Sequence, residues 1–179
     1  RLDVVVRMGP CLDGIGKYLK DAVSISESEP VNVAQHLRDC GAEIAVNYLP
    51  VGSGEATRHY AAQALEAGCG FINAMPVFIA SDRIWQSRFE AKGLPLAGDD
   101  VMSQLGATVL HKTLVKLFVD RGVKVDETYQ LNLGGDADFL NMLEEARLVD
   151  KRVSKTSAVR AMAPYEIPTR IGPSDYVDF

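Results

Sequence analysis

Two lysines four residues apart, Lys151 and Lys155 in the run DKRVSKTS, are the side chains best suited to chemistry on an anion. On a helix that spacing puts both ammonium groups on one face, with Cβ atoms roughly 6 Å apart. Like charges so placed destabilise a helix unless an anion lies between them, and a sugar phosphate or an enolate oxygen would be such an anion. Crowded cations also favour proton release, which acid–base work at a carbonyl needs. The plainer alternative is a pair of solvated surface lysines. Upstream, Asp99 and Asp100 close an apolar run, the place where open α/β sheets put their ligands. Two adjacent carboxylates repel if both are buried, so at least one should face a cation, amide donors or water. A helix N-cap with a solvated neighbour would fit as well.

Two glycine turns complete the set. Gly134-Gly135-Asp136 is the sharpest turn in the chain, able to bring backbone close to a ligand and to open the next helix at its positive end. Gly52-Ser53-Gly54 offers amides, a small hydroxyl and a helix N-terminus after a buried strand. An ordinary strand-to-helix turn would look the same. A full GxGxxG loop is absent: DGIGK at 13–17 has two glycines, no strand leading into them and no third glycine. His36, His59 and His111 are dispersed, without a carboxylate or cysteine at ligand spacing, and read as surface or core histidines. Trp85 and Phe89, four apart, read as core.

The elements that must position these residues alternate. VNVAQHLRDCG has helical spacing and closes on Gly41; EIAVNYL reads as a strand buried on both faces. A helix from Ser53-Gly54-Glu55 to Ala67, a strand from Gly70 to Ala74, a helix from about Ser81 to Lys92 and a third strand into Asp99 follow. Strand–helix–strand units of this length imply a parallel sheet, the second half of a doubly wound domain. Past Gly106 the texture changes. ATVLHKTLVKLFVDRG is a long amphipathic helix ending at Gly122, ETYQLNLGG alternates like a half-exposed strand, and DFLNMLEEARL is helical with Asp138 or Asp136 as its cap. SKTSAVRAM reads as a further short helix capped by Ser154, and the tail from Pro164 as loop plus a short strand. The run LEEARLVDKR, residues 143–152, reads as a solvated helix face. The fold class is therefore α/β: the second half of a Rossmann-like parallel-sheet domain over residues 1–102, followed by part of an α+β domain over 103–179.

Composition sets the outer limits. The chain has 179 residues, 47% of them hydrophobic and 24% charged, which fits a globular protein rather than a disordered one. A net charge of −5 argues against a nucleic-acid surface. No apolar run reaches transmembrane length and no signal peptide opens the sequence, so neither membrane nor export is expected. Cys11, Cys40 and Cys69 are odd in number and lack metal-ligand spacing, which fits reduced thiols in a cytoplasmic protein.

GDDVMSQLGAT, QLNLGGDADFLNMLEEARL and DKRVSKTS, taken with NYLPVGSGEATRHYAAQALEAG, INAMPVFIASD and IGPSD, resemble the NAD-dependent myo-inositol-1-phosphate (inositol-3-phosphate) synthase family, especially its bacterial and archaeal branch. Against that family the chain reads as an internal piece. The resemblance implies that Leu49, Pro50, Val51, Gly52 and Ser53, with Asn73, Ala74, Met75 and Pro76, border the nicotinamide and ribose side of NAD. The glycine-rich pyrophosphate loop would lie upstream. It implies Asp100 facing cofactor and substrate, Ser103 reaching the substrate phosphate, and Asn132, Asp136 and Asp138 at the substrate. Lys151 would act at the carbonyl and ring-closing step, and Lys155 would chiefly bind phosphate. Three departures stand out: the family commonly has lysine at Met102, asparagine at Asp136 and a further lysine near Ile167, where Arg170 is the nearest cation here.

The activity so implied is NAD-dependent isomerisation of glucose 6-phosphate to inositol phosphate: oxidation at C5, enolisation, aldol closure and reduction by the same cofactor, with no net redox. Catalysis would rest on Lys151, Lys155 and Asp100. A divalent or monovalent cation is a second candidate cofactor, and a homotetramer is the implied assembly. Two other readings fit the same residues: another NAD(P)-dependent dehydrogenase or reductase, and a non-catalytic piece of a synthase.

Overall fold

The structure, a computed structural model, describes residues 4–132 and 134–171. The chain folds as two compact units, residues 1–100 and 101–179, dividing two residues before the boundary expected from the sequence.

The first unit is a three-stranded parallel sheet with its helices. Its elements are α1 (Val33–Asp39), β1 (Ile44–Asn47), α2 (Gly54–Ala67), β2 (Gly70–Asn73), α3 (Arg83–Glu90) and β3 (Leu96–Ala97). The strand order is β1-β2-β3, with Ala45 level with Phe71 and Phe71 level with Leu96. Strand side chains alternate between faces, so these three share the face that packs against α2 and α3. There Ala61, Ala64, Leu65, Cys69, Phe71, Val77, Ile79 and Phe89 form the core. Phe71 and Phe89, each at most 2% exposed, contribute about 2 kcal/mol apiece by burial. Trp85 packs at the edge of this core, with the Arg88 guanidinium 4.3 Å over its ring.

The other face corrects the reading of EIAVNYL as a strand buried on both sides. Ile44 and Val46 are 49% and 50% exposed and Ile72 is 38% exposed. The helices of this unit lie on one face only, and the apolar residues opposite keep contact with water. Helix ends fall where the glycines put them: Gly41, Gly68 and Gly93 follow α1, α2 and α3 with positive φ. Asn32 caps α1 through Gln35 N, and Asp82 caps α3 through Ile84 N, one residue beyond the start expected at Ser81.

The second unit holds α4 (Ala107–Asp120), β4 (Thr128–Gln130), α5 (Ala137–Met142), α6 (Glu145–Arg160) and β5 (Thr169–Ile171). β4 and β5 pair in parallel, and Val115, Val159 and Ile167 make its core. His111 ties α4 to the sheet, with Nδ1 2.9 Å from Gln130 Oε1 and Nε2 against Thr128 Oγ1. Two helix expectations are corrected. DFLNMLEEARL breaks at 143–144, where Glu144 turns extended to start α6. Ser154 is not an N-cap; it lies inside the 16-residue α6, whose length joins EARL to SKTSAVR. The match to IGPSD beyond Ile171 lies outside the described residues.

Candidate functional site

Three polar side chains at the C-terminal ends of the parallel strands bind one another: Asn47 on β1, Asn73 on β2 and Asp99 just past β3. Asn47 and Asn73 are in register and lie on the same face as Ala45 and Phe71. Asn47 Nδ2 donates to Asn73 Oδ1 at 2.8 Å and to Thr57 Oγ1 on α2 at 3.1 Å, while its Oδ1 accepts from Leu49 N at 3.0 Å. Asn73 Nδ2 donates to Val77 O at 2.5 Å and to Asp99 Oδ1 at 2.8 Å; its Oδ1 also accepts from Met75 N. Each amide thus uses its donors and acceptor inside the protein, as a buried amide must. The network fixes the loops after β1 and β2, which form the edge where doubly wound sheets take ligands.

Asp99 completes it. Its carboxylate accepts from Ile79 N, Ala80 N and Ser81 N at 2.9–3.0 Å, in addition to Asn73. Asp99 therefore faces amide donors, one of the partners that the repulsion argument required for at least one of the paired aspartates. Gly98 approaches so closely that a Cβ would lie 2.6 Å from Asn73 O, and its φ is +144°, so no other residue fits there. Asp100, expected to face the cofactor and substrate, is half-buried; its backbone N donates to Met75 O and its φ is +65°.

The residues expected along NAD divide by exposure. Leu49 is half-buried, Pro50 exposed and Gly52 half-buried with φ +85°, so this turn presents backbone and small apolar surface. Ser53, Asn73, Ala74 and Pro76 are buried. Ser53 makes no side-chain cap to α2. Instead Asp13, a residue the sequence reading passed over within DGIGK, accepts from Glu55 N at 2.9 Å and Ala56 N at 2.8 Å. A carboxylate of the chain itself thus sits on the first amides of α2, where a bound anion would otherwise be favoured. No signal local to DGIGK announces a partner some forty residues away.

In the second unit the structure brings together Asn132, Lys151 and Lys155. They line one cleft with Phe139, Met142, Leu148, Arg152 and Ile171. Both lysines lie on α6, so the helical spacing expected of them holds. Asp138 joins through an ion pair: Lys151 Nζ donates to its Oδ2 at 3.0 Å. Asn132 Oδ1 accepts from Gln130 Nε2 at 2.9 Å, which orients its side chain. Asp136 caps α5, accepting from Phe139 N at 2.9 Å. Gly134 owes its identity to packing, since a Cβ would meet the Phe139 ring at 3.0 Å, and Gly135 has open space around it. Ser103 is exposed and does not line this cleft. The run 143–152 is not simply a solvated face: Leu148 is 4% exposed, and Lys151 and Arg152 turn to the cleft. Arg152 is the residue there that sequence reasoning missed, because a basic residue in a charge run carries no signal of its own.

Among the described residues, no group of three or more His, Cys, Asp or Glu could hold a metal ion, and no helix is long and apolar enough to cross a membrane.

Residues 106–179 match the family described as myo-inositol-1-phosphate synthase. The inositol-3-phosphate synthase of Mycobacterium tuberculosis (strain CDC 1551 / Oshkosh) is 53% identical over 178 residues, covering 98% of this chain and 48% of that protein. Those of Mycolicibacterium smegmatis and Corynebacterium glutamicum are 52% and 49% identical over 182 residues, covering 98% and 97% of the chain and 50% of each relative. The chain spans about half the length of the curated relatives it matches. Among solved structures, the crystal structure of Ari2 aligns with 76% of this chain and 37% of its own, at 36% identity and a TM-score of 0.58.

Proposed function

The chain belongs to the myo-inositol-1-phosphate synthase family, and from that premise we propose NAD-dependent inositol-3-phosphate synthesis from glucose 6-phosphate as its activity. The observation that carries the reading is the convergence of Asn132, Lys151 and Lys155 on one cleft, with Lys151 held by Asp138. The reaction oxidises C5 of the sugar, enolises at C6, closes the ring by aldol addition of C6 to the C1 aldehyde, and reduces C5 again. NAD supplies the acceptor and then the donor of the hydride. The turn at Leu49, Pro50 and Gly52 fits the nicotinamide end of that cofactor. The first amides of α2 do not fit its pyrophosphate, because Asp13 already occupies them.

In this reading the residues of the chain bind, orient and move protons. Lys151 Nζ, positioned by Asp138, stabilises the C5 enolate oxygen and delivers a proton to the C1 alkoxide as the ring closes. Lys155, one turn on, neutralises the phosphate, and Asn132 binds a sugar hydroxyl. Asp100 and Ser103 are assigned to cofactor and substrate by their place in the family pattern. The sheet face left open at Ile44, Val46 and Ile72 supports reading the first unit as half of a Rossmann-like domain, since doubly wound sheets carry helices on both faces. The exposed stripe Leu110, Leu114, Leu117 and Phe118 along α4 supports assembly into a homo-oligomer through the second unit, a tetramer by family pattern. A cytoplasmic location belongs to the same proposal.

The test is turnover of glucose 6-phosphate with NAD by the longest product of the reading frame, wild type and Lys151→Ala. Inositol phosphate without net NADH is the expected product, with ring closure lost and NAD binding kept in the variant. Net accumulation of NADH, or near-normal turnover by Lys151→Ala, overturns the proposal.

A further inference from the structure

We propose that Arg152 is a phosphate-binding residue of the α6 cleft, taking the phosphate monoester of the substrate side-on beside Lys155. The inference rests on the reading of that cleft as a sugar-phosphate site. Leu148, Lys151, Arg152 and Lys155 all line the cleft from a single helix, so three cations face one small space. The carboxylates that the structure pairs with Lys151 and Arg152 are peripheral. Asp138, paired with Lys151, is 48% exposed, and Glu145, 3.9 Å from Arg152 Nη2, is 71% exposed.

Arg152 carries the distinctive feature. Its Nε and Nη2 are buried from water and have no hydrogen-bond partner among the described residues. These two nitrogens form one edge of the guanidinium, the pair of parallel N–H groups that meets two oxygens of a phosphate or carboxylate at once. Buried N–H donors without an acceptor are uncommon in native proteins, and an absent ion or ligand is among their ordinary explanations. Glu145 at 3.9 Å is beyond hydrogen-bond reach and does not satisfy the edge. The edge is closed to water, so a ligand in the cleft reaches it only after a change at the terminal torsions of Arg152. Lys155 supplies a point charge, and Arg152 adds geometry: its fork fixes which way the phosphate oxygens face, and so which way the sugar enters.

The experiment is calorimetric titration of the 179-residue chain with inorganic phosphate and, separately, with glucose 6-phosphate, in wild type, Arg152→Gln and Arg152→Lys, with a thermal midpoint for each protein. Arg152→Gln is expected to weaken both ligands by about tenfold or more, because a bidentate charge-assisted contact is lost. Arg152→Lys keeps the charge without the fork and should fall between. The midpoint should not drop, because two buried N–H donors without an acceptor have been removed. Unchanged phosphate affinity in both variants overturns the proposal, and a lower midpoint then makes Arg152 a structural residue; failure of wild type to bind either ligand overturns it as well. If Arg152→Gln does not fold, Arg152→Lys decides: wild-type affinity there is also fatal. The two readings separate cleanly. Arg152-dependent phosphate binding without inositol phosphate formation leaves this site standing and removes the proposed reaction. Turnover with KM for glucose 6-phosphate unchanged in Arg152→Gln does the reverse.

Discussion

Asn73 Nδ2 donates to Asp99 Oδ1 at 2.8 Å, joining the end of β2 to the residue just past β3. Through that contact a buried amide ladder, Asn47 to Asn73, is connected to a carboxylate that also gathers three consecutive backbone N–H groups, from Ile79 to Ser81. The edge of the sheet where a ligand is expected is therefore held in place by the protein's own polar groups, with Asp99 as its anchor.

Asp99→Ala should destabilise the first unit by about 3 kcal/mol, because three backbone donors and an amide lose their acceptor together. Asp99→Asn keeps the volume but sets an NH2 group among those donors, so it should recover little. Urea unfolding of the three proteins measures this, and a loss of less than about 1 kcal/mol in Asp99→Ala would show that water replaces the carboxylate freely.

The two glycines of the 134–135 turn should behave differently. A methyl at Gly134 meets three carbons of the Phe139 ring at 3.0 Å, so Gly134→Ala should cost about 1–2 kcal/mol through overpacking. Gly135 has nothing within 4 Å and no positive φ, so Gly135→Ala should stay within about 0.5 kcal/mol of wild type. Equal effects at both positions, read from denaturation midpoints, would refute the packing explanation.

Cys69 gives a pH signature. Burial is the main cause that raises its pKa above the ordinary 9.0, with the nearby Cys40 adding to it and Arg38 opposing it. A raised pKa means the folded thiol keeps its proton after the unfolded chain has released it. Its contribution to stability is thus fully present below the ordinary value and is lost as pH rises through the folded value. Burial raises Tyr60 from 10.0 in the same sense, so its effect follows at higher pH. Unfolding free energies at about pH 8 and about pH 10 should fall in wild type and fall less in Cys69→Ala. An identical slope in the two proteins would exclude Cys69 as the source. In native protein, Cys11 and Cys40, both exposed, should react with a thiol reagent while Cys69 waits for unfolding.

Local signals in the sequence were enough to set the α/β alternation, the glycine stops after Asp39, Ala67 and Asp120, and the i, i+4 pairing of Lys151 with Lys155. Each depends on residues within a turn or two of one another, so periodicity and capping chemistry report them directly. Tertiary structure decided the rest. That Asp99 anchors loops follows from which donors the fold delivers to its carboxylate. Asp13 on the amides of α2 and the Asn47–Asn73–Asp99 network join residues tens of positions apart. Ile44 and Val46 face water because the helices of the unit lie on the other side of the sheet. Arg152 shows the difference most plainly. In the sequence it is one more charge in LEEARLVDKR, and only the packing of α6 shows that two of its nitrogens are shut away from water without a hydrogen-bond partner among the described residues. A residue's type fixes what it can bond to, whereas its burial and its neighbours, which only the folded chain sets, determine whether it does.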